Sequence, residues 1–155
     1  MDKRDATKLT DHVLPRLQAD TAVEYALRPM LTDAFRMLSA PERLLLVARP
    51  QEDLKLYLLD EKGLLAMGVR TSPPTISTQF LAADEIDISR SCHDAESTQA
   101  GVYWSTTWRV RNDPQRLEFV GRIGPDTIDE AEQFARAVAL VAGWSVDAPP
   151  EPSDD

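Results

Sequence analysis

The first 38 residues carry apolar side chains at helical spacing. Between residues 5 and 38 they recur at three- and four-residue intervals: Leu9, Val13, Leu17, Leu27, Leu31, Ala34 and Leu38. This period predicts amphipathic helices. Pro15 and Pro29 interrupt the pattern, and proline fits the first turn of a helix but breaks its interior. We therefore expect one or two helices with a bend, ended by Ser39-Ala40-Pro41.

From residue 43 to residue 122 the apolar period changes to two. The run RLLLVAR at 43–49 predicts a first strand, and residues 54–70 alternate on both sides of a turn at 60–63, which predicts a hairpin. Further strands are expected at 76–80, 86–88, 103–111 and 116–122, with turns at 82–85 and 112–115 and a polar, flexible connection at 91–101. Six or seven short strands of this kind indicate an antiparallel sheet that curls into a barrel or sandwich.

A third region predicts a single helix followed by a tail. Thr127 and Glu130 have the spacing of a capping box, and Gly143 is placed to end the helix with Trp144 folding back on its last turn. One face of this helix is apolar: Ala131, Phe134, Ala135, Val138, Val141 and Ala142. Residues 146–155 are acidic and rich in proline, a composition typical of disorder.

The join between the last strand and this helix contains two glycines, Gly121 and Gly124. Glycines at such a join cradle phosphate in many proteins, using free backbone N–H groups at the start of the helix. Here Pro125 removes one donor, and Asp126 and Asp129 already bring negative charge to that end. We therefore interpret the two glycines as residues that let the strand turn sharply into the helix.

Several short pieces follow one another in a recognisable order. They are an apolar strand at 44–47, a hairpin with Asp60 and Gly63-Leu64-Leu65 at its turn, Phe80-Leu81 with Glu85-Ile86, and Phe119 with Ala131-Glu132-Gln133-Phe134. In this order the chain resembles the pleckstrin-homology-like superfamily, in particular its bacterial members of the PH-like or GRAM-like type. The resemblance covers residues 43 to 144 and implies a barrel or sandwich plugged by its C-terminal helix. It implies no ligand, since the superfamily binds lipids, peptides and proteins.

Taken together, the predicted fold class is α+β. We expect an N-terminal helical extension at 1–40, a PH-like antiparallel barrel with its C-terminal helix at 41–145, and a disordered acidic tail at 146–155. At 155 residues the chain is long enough to bury a core.

The distribution of charge along the chain limits the classes of partner that we expect. The net charge is −9, and residues 123–155 hold eight acids but only one base, Arg136, whereas residues 1–36 are balanced at six and six. An acidic surface repels nucleic acid and anionic membranes. The loop at 50–53, where phosphoinositide-binding members of the superfamily carry basic residues, holds two acids. The single Cys92 and the polar N-terminus without a signal sequence favour a cytoplasmic location.

No catalytic set can be assembled from the sequence. Cys92 and His93 are neighbours, and neighbours in an extended chain point to opposite faces. The other histidine, His12, lies in the helical segment, and one cysteine with two histidines falls short of the usual zinc set. We therefore expect no enzyme, no cofactor and no metal.

Three groups of residues are candidates for partner binding. Trp104 and Trp108 share a strand face, with Tyr103 opposite, and either pack in the core or anchor a partner. Arg109 and Arg111 either form a solvated strand face or grip a carboxylate or acidic peptide. The N-terminal helical segment, with Leu27 and Leu31, either packs on the barrel or forms a homodimer or holds a partner helix.

These observations favour a non-enzymatic protein-interaction module, an adaptor or scaffold whose partner is a protein. The alternative is a small acidic chaperone-like dimer that holds segments of a secreted or partner protein. That class requires an obligate dimer with an exposed apolar groove, and its helices and strands are interleaved, whereas the strands here come in one block.

Overall fold

The computed structural model describes residues 1–94, 104–112, 117–125 and 127–144. These described residues form an α+β fold with three α-helices and two antiparallel sheets, one of four strands and one of three. The chain forms two compact units, Met1–Asp60 with Leu65–Phe80 and Glu61–Leu64 with Leu81–Asp155. Among the described residues, no helix has the length and apolar character needed to cross a membrane. The boundaries at 40 and 145 inferred from composition stay predictions.

Two helices open the first unit. Helix α1 spans Lys3–Val13 and α2 spans Thr21–Arg36, with a 3₁₀ turn at Leu14–Leu17 between them. Each α-helix starts at an aspartate, Asp2 or Asp20, whose side chain accepts a backbone N–H three residues on. The break predicted at Pro15 is present, because the proline sits in the first turn of the 3₁₀ segment. Pro29 lies inside α2 without ending it.

The four-stranded sheet has the order β1-β2-β3-β4, so β1 and β4 are its edges. Its strands are β1 Arg43–Arg49, β2 Asp53–Asp60, β3 Gly63–Thr71 and β4 Pro74–Ala82. The two helices pack on one face of this sheet. Their apolar stripes share a single core with alternate residues of β2 and β3. That core contains Ala6, Val13, Leu14, Leu17, Leu27, Leu31, Phe35, Leu54, Leu56, Leu58, Met67 and Val69.

The three-stranded sheet belongs to the second unit and has the order β5-β6-β7. Its strands are β5 Ile88–Asp94, β6 Trp104–Val110 and β7 Glu118–Ile123, and helix α3, Glu130–Val141, packs against β7. The register aligns Arg90 with Trp108 and Trp108 with Phe119 across the sheet. Phe119 meets Phe134 of α3 with ring centroids 5.6 Å apart.

The C-terminal end of α3 forms as predicted, and its start differs. Gly143 has a φ of 102° and donates its N–H to Leu140, while the Trp144 N–H reaches back to the carbonyl of Ala139. This pair of bonds is a Schellman motif. At the other end the cap is Asp129, not Thr127, because the Asp129 side chain accepts the Glu132 N–H at 2.9 Å.

Two other expectations change. In the described residues the seven strands form two separate sheets and no closed barrel. The polar stretch expected to be a connection is strand at 91–94, since polar side chains are tolerated on an exposed edge strand paired with β6. The rest of that connection, Tyr103, the turn residues 113–115 and the tail at 146–155 lie outside the described residues.

Candidate functional site

Leu27 and Leu31 lie in the core of the first unit. Both side chains are fully buried, together with Phe35 one turn further along α2. These three residues follow at intervals of four and so form one stripe of the helix. A partner can reach neither leucine while the unit keeps this packing. The apolar stripe of the N-terminal segment therefore packs on the sheet.

Trp108 is a core residue of the second unit. Its side chain is fully buried, and its ring lies 5.5 Å from that of Trp144, centroid to centroid. Trp104 lies four residues before it on the same face and is half-buried. The shared face predicted from the even separation is present. Of the two tryptophans, only Trp104 retains surface that a partner can touch.

Arg109 and Arg111 line one groove of about 540 Å³ near the ends of β6 and β7. The Arg109 Nε donates to the Glu118 carboxylate at 3.0 Å, and both side chains are exposed. Val110 and Leu117 supply apolar walls. The Arg111 guanidinium has no ion-pair partner among the described residues. Chemically, this groove offers the Arg111 guanidinium beside apolar surface, which suits a carboxylate.

Cys92 and His93 lie on opposite faces of β5, as alternation requires. Cys92 is aligned with Thr106 of β6, and His93 is aligned with Ser105. Both side chains are exposed. His12 lies on the exposed side of α1.

A buried carboxylate, Glu132, stands at the centre of the second unit. It is fully buried although it is charged, and it accepts hydrogen bonds from Trp108 Nε1 at 2.8 Å and Thr106 Oγ1 at 2.8 Å. Two guanidinium groups complete the cluster, from Arg90 at 3.6 Å and from Arg136 at 3.7 Å. The Arg90 guanidinium also stacks over the Trp108 ring, 5.1 Å from its centroid. This cluster ties β5, β6 and α3 together.

Gly121 makes room for this cluster. A β-carbon at position 121 would lie 2.7 Å from the Glu132 Cβ and 2.8 Å from the Thr106 Oγ1. The glycine sits inside β7, so its role is close packing of α3 and not the sharp turn that the sequence suggested. A glycine in the interior of a strand is the signal that could have predicted this close approach.

The exposed face of α2 is largely apolar, although Asp33 and Arg36 interrupt it. Tyr25 is 83% exposed, Met37 at the C-terminal cap is 81% exposed and Met30 is 40% exposed. Ala26 and Pro29 are exposed between them. We call these five residues the α2 surface. The spacing of apolar residues in the sequence did not predict the α2 surface. That spacing identifies the more strongly apolar face of a helix, which in α2 is the face with Leu27 and Leu31.

Helix α1 provides an internal comparison. Its exposed positions are all polar or charged: Lys3, Arg4, Asp5, Thr7, Lys8, Asp11 and His12. The two helices pack side by side in one unit, tied by Thr10 and Thr32, whose hydroxyl oxygens are 3.0 Å apart. Of these two helices, α2 is the one that turns a largely apolar face to solvent. A helix that is apolar on both sides is typical of a helix with a second packing partner.

Comparison of the chain with models of known protein families, with curated protein sequences and with solved structures finds no match.

Proposed function

We propose that this chain is a non-enzymatic protein-interaction module, an adaptor or scaffold that contacts another polypeptide through the α2 surface. The observation that carries the proposal is the exposure of Tyr25 and Met37 on a helix whose opposite face is already packed. Contiguous exposed apolar surface marks interaction sites more often than scattered single residues do.

The residue types support the same conclusion. Tyrosine is enriched at the energetic centres of protein interfaces. Methionine is flexible and polarisable, so it adapts to a partner's shape. A solvent-facing helix ordinarily carries charges at such positions, as α1 does. Tyr25, Met30 and Met37 leave that apolar area in water unless a partner covers it.

The wider proposal keeps three features inferred from the sequence. A pleckstrin-homology-like relationship is supported by the observed order of antiparallel strands followed by one C-terminal helix. The Arg109–Arg111 groove is proposed as a second contact, for an acidic group of a protein partner. With net charge −9, the chain is proposed to act on proteins in the cytoplasm, away from nucleic acid and anionic membranes.

The proposal is tested by photo-crosslinking in cells that express the full chain. Benzoylphenylalanine replaces Tyr25 in one variant and His12 in a matched control, since His12 is exposed on the charged face of the neighbouring helix. We expect discrete covalent adducts from position 25 and none of them from position 12. Adducts absent from position 25, or identical from both positions, would contradict the proposal.

The same experiment separates the module from the chaperone-like alternative. A holder of unfolded segments contacts many sequences and would give a broad smear of adducts. It would also be an obligate dimer at every concentration. A module with one partner gives one or a few sharp bands.

A further inference from the structure

We infer that the occupant of the α2 surface is a second copy of this chain, and that two α2 helices pack against each other in a weak, reversible homodimer. This inference rests on the proposed function, because it names the partner of the same surface. Three properties of the described residues favour a second copy over another protein: the shape of the surface, its charge and its area.

The shape of the α2 surface favours a second helix as its partner. The α2 surface is the outer side of a single helix, so it is convex, and its five residues line neither the groove near Arg109 nor the one near Gln51. A partner helix from another protein is usually received in a groove. A convex helical stripe instead packs against a second helix, side chain ridges against grooves. Another copy of α2 supplies such a stripe, and a two-fold axis makes the contact self-complementary.

The charge of the α2 surface also favours a second copy of the chain as the partner. Among the exposed positions of α2, Asp33 and Arg36 are the charged ones, so this face is neutral. The excess of acid lies elsewhere, with eight acids against one base in residues 123–155. A basic partner would be steered to that acidic end and not to α2. Two copies of a chain with net charge −9 repel each other least where the surface is neutral.

Area sets the expected strength. Helix α2 has 16 residues and is therefore about 24 Å long. Tyr25 offers most of the roughly 150–250 Å² that an aromatic side chain can bury. With the two methionines and the smaller residues, a helix pair buries about 1,000 Å² in total, near the lower limit for specific interfaces. The dimer should thus be concentration-dependent, with dissociation in the micromolar range.

Sedimentation equilibrium of the purified full chain tests this inference, from about 1 to about 500 μM, a range that brackets a weak contact. The wild-type chain should pass from 17.3 kDa toward twice that mass. Tyr25→Lys and Met37→Lys should each raise the dissociation constant at least tenfold. Leu140→Lys is the control, because Leu140 is an apolar residue of α3 in the second unit that is 48% exposed. Circular dichroism of each variant checks that it is folded.

The outcomes distinguish this inference from the function it rests on. A wild-type chain that stays at 17.3 kDa throughout, or a dimer that survives both lysine variants, overturns the second-copy inference. If the cellular adduct from position 25 then contains another protein, the proposed function stands without it. If position 25 gives no adduct and the purified chain is monomeric, both fail. A dimer lost in both variants and kept in Leu140→Lys supports the inference.

Discussion

Replacing Glu132 by glutamine tests whether the buried cluster holds the second unit together. Glutamine has nearly the same shape and keeps an oxygen that can accept from Trp108 and Thr106. It removes the negative charge that faces Arg90 and Arg136. The change therefore isolates charge from packing, which Glu132→Ala would not.

The expected cost follows from the exposure of the two arginines. Removing one partner from a buried ion pair costs about 3–5 kcal/mol, because the other charge is left without compensation in a poorly solvated place. The Arg136 side chain is 19% exposed and can turn its head group to water, whereas that of Arg90 is 5% exposed. Since glutamine also keeps the acceptor oxygen, we expect about 3 kcal/mol, at the lower end of that range.

Urea unfolding followed by tryptophan fluorescence measures this loss. All three tryptophans, at positions 104, 108 and 144, belong to the second unit, so the signal reports on the unit that contains Glu132. With an m-value of about 2 kcal/mol per molar urea, the midpoint should fall by about 1.5 M. Urea is preferred to guanidinium because it is uncharged and leaves ion pairs unscreened. Glu130→Gln, at an exposed position of the same helix, should shift the midpoint by less than about 0.5 M.

A second substitution tests whether the loss of stability in Glu132→Gln comes from the lost charge or from another cause. Adding Arg90→Met to Glu132→Gln removes the guanidinium that faced the Glu132 charge and leaves an apolar side chain over Trp108. The double variant should recover at least about 1 kcal/mol relative to Glu132→Gln alone, a coupling of the size seen between contacting residues. If Glu132→Gln is as mild as Glu130→Gln, or if Arg90→Met adds to its cost, the cluster is not a charge-compensated unit and our reasoning is refuted.

Three further predictions concern other parts of the fold. Gly121→Ala should destabilise the second unit by about 1–3 kcal/mol in urea unfolding, because its new methyl group overlaps α3; wild-type stability would contradict the close packing. Leu27→Ala should cost about 2–5 kcal/mol by calorimetry, and Tyr25→Ala less than about 0.5 kcal/mol; equal losses would contradict the assignment of one residue to the core and the other to the surface. The hydrogen bond from Arg49 lowers the pKa of Asp53 below its ordinary value of 3.8, so its contribution to stability is present above that pH and is lost as the pH falls through the lowered pKa. In Arg49→Gln, the pKa of Asp53 measured by NMR titration should rise back toward 3.8. An unchanged pKa would rule out this pairing.

Local signals in the sequence were sufficient for most of the strands. The hairpin of β2 and β3 was predicted because alternation and turn residues lie within one short segment. The C-terminal cap at Gly143 was predicted for the same reason. The cap at Asp129 was misplaced by two residues, since Thr127 and Asp129 are both good capping residues and only the geometry of the chain selects between them.

Residues whose role depends on distant partners escaped prediction. Glu132 reads as a solvent-facing acid, although it precedes Ala135 and Ala139 by three and seven residues and so lies beside the apolar face of α3. Arg90 continues the alternation of Ile86 and Ile88 and therefore points to the buried side of β5. A charged residue at a buried register position predicts a compensating charge, and finding that charge requires the tertiary structure.

The two apolar faces of α2 show why the core could be predicted better than the interaction surface. The buried face is built from Leu27, Leu31 and Phe35 at regular intervals and is free of charge. The exposed face is interrupted by Asp33 and Arg36. Burying these charges against a sheet would cost more free energy than burial of the apolar residues would contribute. These two charges explain why this face stays out of the core. Asp33 stands four residues after Pro29 and four before Met37, so it lies among the α2 surface residues, and the water that it retains favours a weak and reversible contact.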